Sequence, residues 1–227
     1  MDFSTLTWIG LLQVIWINII LSGDNAVVIA LACRGLPDRQ RLIGMVLGAG
    51  VAIALRVIFT LFVAALLDMP FLRLAGGVLL FWIAVKLVTD EGDGEGHVQS
   101  SDKLFHAVKT VAIADAVMSL DNVLAIAAVA RDSKAMLVIG LVVSIPLIVA
   151  GASLIMKLLE RLPILVWAGA GLLGWLAGDM MLNDPFIRGQ IGGEAVHRLE
   201  LPAEVVGAAF VVALAYWIRR TRAAAAV

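Results

Sequence analysis

Uncharged apolar stretches recur along the whole chain, each close to the ~20 residues that a helix needs to cross ~30 Å of hydrocarbon. Hydrophobic residues occupy 62% of the 227 positions, well above the roughly 45–50% of an ordinary soluble domain. The pattern predicts an all-α polytopic membrane protein, with the lipid bilayer as its expected partner. A net charge of −1 provides no basic surface for nucleic acid, so nucleic-acid binding is excluded together with a soluble or disordered chain.

Seven transmembrane helices are predicted from the apolar runs that lie between clusters of charged residues and proline. The first run is expected to stay in the protein as a membrane span, because no basic segment precedes it. The seven spans are 8–32, 42–67, 70–88, 106–130, 135–157, 163–182 and 202–218.

The distribution of Lys and Arg predicts the orientation. With the N-terminus outside, the cytoplasmic loops and tail carry nine Lys and Arg residues and the outer loops carry five. This bias favours an outside N-terminus and a cytoplasmic C-terminus, in a plasma membrane or bacterial inner membrane.

Two connections between spans are long. Residues 89–104 form an acidic, Gly-rich linker on the cytoplasmic side, and residues 183–201 are predicted to be an outer loop. The linker is interpreted as a solvated connection. A metal-sensing role remains open, although the spacing does not match an EF-hand loop. The candidate ligands in the linker are Asp90, Glu91, Asp93, Glu95 and His97.

The chain aligns with itself. The segment NIILSGDNAVVIALACR at 18–34 matches DAVMSLDNVLAIAAVAR at 115–131, and PFLRLAGGVLLFWIAVK at 70–86 matches PILVWAGAGLLGWLAGD at 163–179. Apolar helices resemble one another by composition, but a shared Ser-x-Asp-Asn inside two hydrophobic spans is not explained by composition.

The alignment divides the membrane domain, 1–227, into two repeats at 5–88 and 105–182, with 202–218 as an additional seventh helix. Each repeat contains three spans, so the second repeat must enter the membrane from the opposite face. The sequence therefore predicts two inverted three-helix repeats, an architecture from which many secondary transporters build a midplane site.

Ionisable residues inside the predicted spans indicate where that site lies. A charged side chain in a span costs at least ~2.5–3.5 kcal/mol on insertion scales and is expected to be functional. Carboxylates and amide oxygens are ligands suited to Mg²⁺, Ca²⁺ or Mn²⁺. The sequence predicts a divalent-cation site formed by Asp24, Asn25, Asp115, Asp121 and Asn122.

Helical geometry adds neighbours to this site. Asn18, Ser22 and Asn25 share one helix face, as do their repeat equivalents Asp115, Ser119 and Asn122. Asp24 and Asp121 lie off that face. We therefore expect local unwinding at Ser22–Gly23, which would free backbone carbonyls as ligands.

Of three further residues, two have two interpretations each and the third has one. Arg56 is either a counter-ion that stabilises an empty acidic site or a gating group. Met118 is either a soft ligand that favours Mn²⁺ or packing material. Asp179 is a candidate for an outer vestibule together with Glu204.

The motifs LSGDNAVVIA (21–30) and MSLDNVLAI (118–126), in two three-span repeats, resemble those of the TerC family of integral membrane proteins. The short seven-span form is similar to the YjbE-type branch of that family. The resemblance covers about 5–218 and implies a relation to LysE-type exporters and a role in Mn²⁺ efflux. It implies that Mn²⁺ is a substrate with no permanently bound cofactor, and that the two Asp-Asn pairs bind it with Asp115 as a further acidic partner.

Several functions remain open from the sequence. The leading hypothesis is a cation exporter that works by alternating access. The alternatives are LysE-like export of a small amino compound, and a non-transporting factor for secretion or metal loading. The expected protein partner is a second copy of the chain, in a homo-oligomer, or the secretion machinery. The chain is not expected to be an enzyme, because Leu21-Ser22-Gly23-Asp24 lacks the first Gly of an intramembrane aspartyl protease motif.

Overall fold

The apolar runs are helical wherever the structure describes them. The computed structural model describes the backbone of residues 12, 15–16, 21–67, 69–89, 100–129 and 134–225, and their side chains except at 60–67, 100–101, 120–129, 134–137 and 225. Within these ranges every regular element is an α-helix, as the sequence predicts. The helices are α1 (Gly23–Cys33), α2 (Asp38–Leu67), α3 (Leu72–Thr89), α4 (Ser100–Val129), α5 (Lys134–Arg161), α6 (Ile164–Leu182), α7 (Pro185–Ile191) and α8 (Gly193–Ala225).

Five stretches among the described residues are long and apolar enough to cross a membrane. They confirm the second, third, fifth, sixth and seventh predicted spans. The spans predicted at 8–32 and 106–130 fall partly on residues outside the described set, so the total of seven stays a prediction. The five stretches are Asp38–Phe59, Leu72–Thr89, Val138–Arg161, Ile164–Leu182 and Gly193–Ala224.

The prediction that residues 183–201 form a loop is wrong. Residues Pro185–Ile191 form α7, and α8 begins at Gly193, nine residues before the predicted start of the last span. Pro202 therefore lies inside a helix instead of opening one. The two helices are separated only at Gly192, whose φ of 81° suits a residue without a side chain. The predicted linker is also too long, because α4 begins at Ser100; residues 90–99 lie outside the described part of the chain.

The chain divides into two compact units. The first contains α1, α2, α4 and α5 up to residue 157; the second contains α3, α6, α7 and α8. In the first unit α4 packs against α2 and α1. The contact between α2 and α4 is close at Gly48, where an added Cβ would lie 3.1 Å from a methyl carbon of Val111. Small residues on one helix thus make room for branched residues on the other.

In the second unit α6 packs against both α3 and α8. The approach of α6 to α8 is the closest of these, because an added Cβ on Gly174 would lie 2.5 Å from the carbonyl oxygen of Gly207. An added Cβ on Gly178 would overlap the carbonyl oxygen of Ala203. Glycine on both helices is what allows the two backbones to come this near.

Asp184, between α6 and α7, connects two helix starts in the second unit. Its carboxylate accepts backbone N–H hydrogen bonds from Phe71 (3.1 Å) and Leu74 (3.1 Å) at the start of α3, and from Phe186 (2.9 Å) in α7. Burial acts to raise the pKa of Asp184, but the hydrogen bonds outweigh it and hold this pKa below its ordinary value. One carboxylate therefore caps two helices.

Candidate functional site

The α1 helix starts in the middle of the first motif. Leu21 and Ser22 form a turn, Ser22 has φ −113° and ψ 7°, and the helix begins at Gly23. The turn lies where the unwinding is predicted, while residues 17–20 before it lie outside the described part of the chain. The carbonyl oxygen of Ser22 nevertheless keeps a backbone partner, because it accepts a 2.9 Å helical hydrogen bond from the N–H of Ala26. The side chain of Ser22 is directed to a different partner.

That partner is Arg56, which lies on α2 and is only 1% exposed. Its Nη1 donates to Oγ of Ser22 (2.9 Å), its Nε to Oγ of Ser119 (3.2 Å), and its Nη2 to Oδ1 of Asp115 (2.9 Å). Ser119 in turn donates to Oδ2 of Asp115 (3.0 Å). One guanidinium thus joins α2 to α1 and α4 through a carboxylate and two hydroxyls.

The two serines are equivalent positions in the internal repeat. Asp115 and Ser119, which the sequence places on one helix face, both hydrogen-bond Arg56, and so does Ser22 in the turn before α1. The face predicted for Ser22 with Asn25 stays a prediction, because the side chain of Asn25 has no hydrogen-bond partner among the described residues. Arg56 forms an ion pair with Asp115, a contact that fits both of the roles predicted for it.

Asn25 lies beside this network without joining it. Its side chain is 4% exposed, and neither its amide oxygen nor its amide nitrogen has a hydrogen-bond partner among the described residues. Asn25 and Asp115 line a crevice with Val28, Ile29 and Val111, too narrow in this conformation to hold a water molecule. A buried amide without partners costs about 1–3 kcal/mol, which makes the crevice a candidate ligand site.

Asp24 sits at the N-terminal end of α1, partly buried. Its Oδ1 accepts a 2.8 Å hydrogen bond from the backbone N–H of Asn25. It also lies within electrostatic range of Arg56 and of Asp115. With both carboxylates ionised, Asp24, Asp115 and Arg56 sum to a formal charge of −1, so this region attracts a cation.

The remaining predicted residues are placed as follows. Met118 is buried on α4 next to Ser119. Asp179 belongs to the second unit, where it accepts a 2.7 Å hydrogen bond from Asn183 and lies within electrostatic range of Glu204. The outer vestibule predicted for this pair stays a prediction. Among the described residues no three His, Cys, Asp or Glu side chains are grouped to hold a metal ion. The side chains of Asp121 and Asn122, and the additional candidate Asn18, lie outside the described set.

Sequence reasoning missed the apolar walls of the crevice. Val28 and Ile29 on α1 and Val111 on α4 belong to ordinary apolar runs, so no residue type marks them as lining a site. Only the face they share with Asn25 or Asp115 at helical spacing distinguishes them from lipid-facing neighbours.

The sequence profile of the integral membrane protein TerC family matches residues 3–223. The chain belongs to the TerC family. This membership, with the apolar helices, makes it an integral multi-pass membrane protein. Among curated proteins it is 44% identical over 176 residues to the uncharacterized membrane protein YjbE of Bacillus subtilis, covering 78% of this chain and 80% of YjbE.

Two more distant relatives also match this TerC-family chain. YceF, an uncharacterized membrane protein of Bacillus subtilis, is 27% identical over 71% of this chain and 66% of its own length. The UPF0053 inner membrane protein YgdQ of Escherichia coli K12 is 24% identical over 69% of this chain and 73% of its own length. No solved structure matches the chain significantly.

Proposed function

We propose that this TerC-family protein exports a divalent metal cation, Mn²⁺, through a site between α1 and α4. The observation that carries the proposal is the pairing of Asn25 with Asp115 at one crevice. The amide of Asn25 has no partner among the described residues, although it is buried. A carboxylate and an unsatisfied amide oxygen together offer the oxygen ligands that a hard divalent cation takes.

The choice of Mn²⁺ depends on the donor set and on the family. Asp24, Asp115 and Asp121 supply carboxylate oxygens, while Asn25 and Asn122 supply amide oxygens, and these residue types do not favour Zn²⁺ or copper. Hard-ligand chemistry alone extends to Mg²⁺ and Ca²⁺. Mn²⁺ follows from the efflux role that the TerC resemblance implies.

Alternating access requires two related halves, which we propose to be inverted repeats. Two observations support this. Ser22 and Ser119, at equivalent positions of the repeats, hydrogen-bond the same guanidinium. Each compact unit also takes corresponding helices from both halves: α1 and α2 with α4 and α5, and α3 with α6.

We propose an inner- or plasma-membrane location, with the N-terminus outside and the C-terminus in the cytoplasm. The relative YgdQ is described as an inner membrane protein, and the excess of Lys and Arg on the predicted cytoplasmic side supports the orientation. In this arrangement seven spans place Asp24 and Asp121 on opposite sides of the membrane centre.

The proposal is tested by manganese content and manganese sensitivity in a host that lacks its own exporter. The wild-type chain should lower cellular manganese, and Asp24→Ala, Asp115→Asn and Asp121→Ala should each abolish the effect while the protein is still inserted. Asp102→Asn is the matched control, since Asp102 lies on α4 like Asp115 but is exposed.

Two outcomes contradict the proposal. If the inserted wild-type chain leaves manganese unchanged, Mn²⁺ export is wrong, and measurement of lysine and arginine release then tests export of an amino compound. If the wild type lowers manganese but all three aspartate variants do so equally, transport is retained and the proposed site is wrong.

A further inference from the structure

Arg56 already occupies the position that a cargo cation would need. Its guanidinium is buried and is held by Oδ1 of Asp115 and by the hydroxyls of Ser22 and Ser119. These three oxygen atoms, two from α4 and one from the turn before α1, surround a positive charge. The described part of the first unit therefore shows an acidic site filled by a cation that belongs to the chain.

The second repeat has no basic residue equivalent to Arg56. Extending the register in which Ile43-Gly44 meets Ile139-Gly140 places Arg56 opposite Ala152. Both repeats supply a serine to the network, yet only one supplies a guanidinium. A purely architectural contact between related halves would be expected on both sides. The presence of a guanidinium in only one repeat is explained if Arg56 serves the acidic site and not the packing of the two repeats.

The unsatisfied amide of Asn25 fits the same interpretation. While Asp115 is paired with Arg56, the neighbouring Asn25 has no partner among the described residues. A cation that entered the crevice and took an oxygen of Asp115 would also be within reach of the amide oxygen of Asn25. Asn25, whose amide has no described partner, is thus the residue that the cargo cation would satisfy. For this cation to bind Asp115, Arg56 would have to break its ion pair.

We propose that Arg56 is a tethered competitor of the cargo cation, displaced from Asp115 when Mn²⁺ binds and returning to Asp115 to expel it. This inference rests on the proposed function, since it assigns a regulatory part within the same site. Competition raises the apparent Kd, which equals the intrinsic Kd divided by the fraction of protein in which Arg56 has left the carboxylate. It also hastens release, because the returning guanidinium replaces the lost interaction.

A purely structural counter-ion predicts different behaviour. If Arg56 only holds the helices together, its removal disorders the ligands and weakens Mn²⁺ binding. If Arg56 competes, its removal tightens binding and slows turnover. The direction of the change in Kd, together with the change in turnover, separates the two roles.

The experiment uses the full chain, purified in detergent for Mn²⁺ binding and reconstituted in proteoliposomes for Mn²⁺ transport. Arg56→Gln should lower the Kd for Mn²⁺ roughly tenfold or more and lower the maximal transport rate, as expected when a competing state is removed. Arg56→Lys keeps the charge but loses the three-way hydrogen bonding, and should lie between the wild type and Arg56→Gln. It serves as the deciding variant if Arg56→Gln does not fold.

Chemical rescue adds an independent readout. In Arg56→Ala, millimolar guanidinium ion should raise the apparent Kd for Mn²⁺ and restore part of the transport rate, whereas the wild type should not respond. An unchanged or weaker affinity in folded Arg56→Gln or Arg56→Lys overturns the inference, and so does a lack of competition by guanidinium.

The two proposals fail in different ways. A wild-type chain that binds and transports Mn²⁺ through Asp115, with Arg56 variants of the same Kd, overturns only the role of Arg56. A folded wild-type chain that neither binds nor transports Mn²⁺ overturns the proposed function, and the inference with it.

Discussion

Nη2 of Arg56 lies 2.9 Å from Oδ1 of Asp115, and the two side chains are only 2% and 4% exposed. A buried ion pair of this kind gains from its Coulombic attraction but has lost the hydration of both charges. Its net contribution to stability is small, whereas either charge left alone is costly. The two residues therefore depend strongly on each other, although the pair adds little to the free energy of unfolding.

Single and double substitutions of this pair should reveal that interdependence. Arg56→Met or Asp115→Leu alone should lower the free energy of unfolding by about 3–5 kcal/mol, because each leaves one charge buried without its partner. The double variant should lose much less, since no charge remains. Equilibrium unfolding in mixed detergent measures all three. A double variant that loses the sum of the single losses contradicts the expectation.

Asn25 should show a conflict between stability and transport. Asn25→Leu replaces a buried amide that has no partner among the described residues with an apolar side chain of similar size, so the free energy of unfolding should rise by about 1–3 kcal/mol. Mn²⁺ export should be lost, because the amide oxygen is gone. Thermal unfolding and cellular manganese content measure the two effects. A variant that is less stable than the wild type would show that the amide is satisfied in the native protein.

The close packing of α6 against α8 should not tolerate an added methyl group. Gly174→Ala and Gly207→Ala each place a Cβ against backbone atoms of the other helix and should destabilise the protein by about 1–3 kcal/mol. Gly171→Ala is the control, because its Cβ would lie 3.6 Å from Val212, an ordinary contact. Thermal unfolding should place the control near the wild type; a similar loss in all three variants contradicts the packing argument.

Asp184 should make stability depend on pH in the acidic range. Because the folded-state pKa is below the ordinary value of about 3.9, the stabilisation is complete above that value and is lost as pH falls through the lowered pKa. Asp184→Asn keeps one acceptor oxygen but loses the charge, and should cost about 1–2 kcal/mol at neutral pH because hydrogen bonds to charged groups contribute more than neutral ones.

The difference between wild type and Asp184→Asn should shrink below about pH 4, as the wild-type carboxylate becomes protonated. Unfolding curves collected across this range measure it, with Glu194→Gln as a control, because Glu194 is an exposed carboxylate in the same unit. A difference that stays constant with pH would show that the charge of Asp184 is not what caps α3 and α7.

The membrane helices could be predicted from the sequence because apolar length is a local property. The span predicted at 163–182 agrees closely with α6, Ile164–Leu182. The segment that follows was predicted wrongly, since its glycines and Pro202 are typical of loops. Its helical start depends instead on Asp184, whose partners Phe71 and Leu74 lie over 100 residues away in sequence.

The candidate site was predictable to a similar extent. Charge inside an apolar span singled out Arg56 and Asp115, and helical spacing placed Ser119 on the same face as Asp115. The hydrogen bonds from Arg56 to α1 and α4 could not be predicted, because the sequence does not determine which helix faces pack together. The absence of a described partner for Asn25 is likewise a property of the packing and not of its motif.

The single guanidinium has a consequence for the ancestry of the two halves. The first half carries Arg56 and has Asn18 where the second has Asp115, while the second half has Ala152 where the first has Arg56. Two copies of the first half would bring together two arginines without that aspartate, and two copies of the second would bring two aspartates without an arginine. If the halves arose by duplication, they have since become complementary parts that can no longer be exchanged.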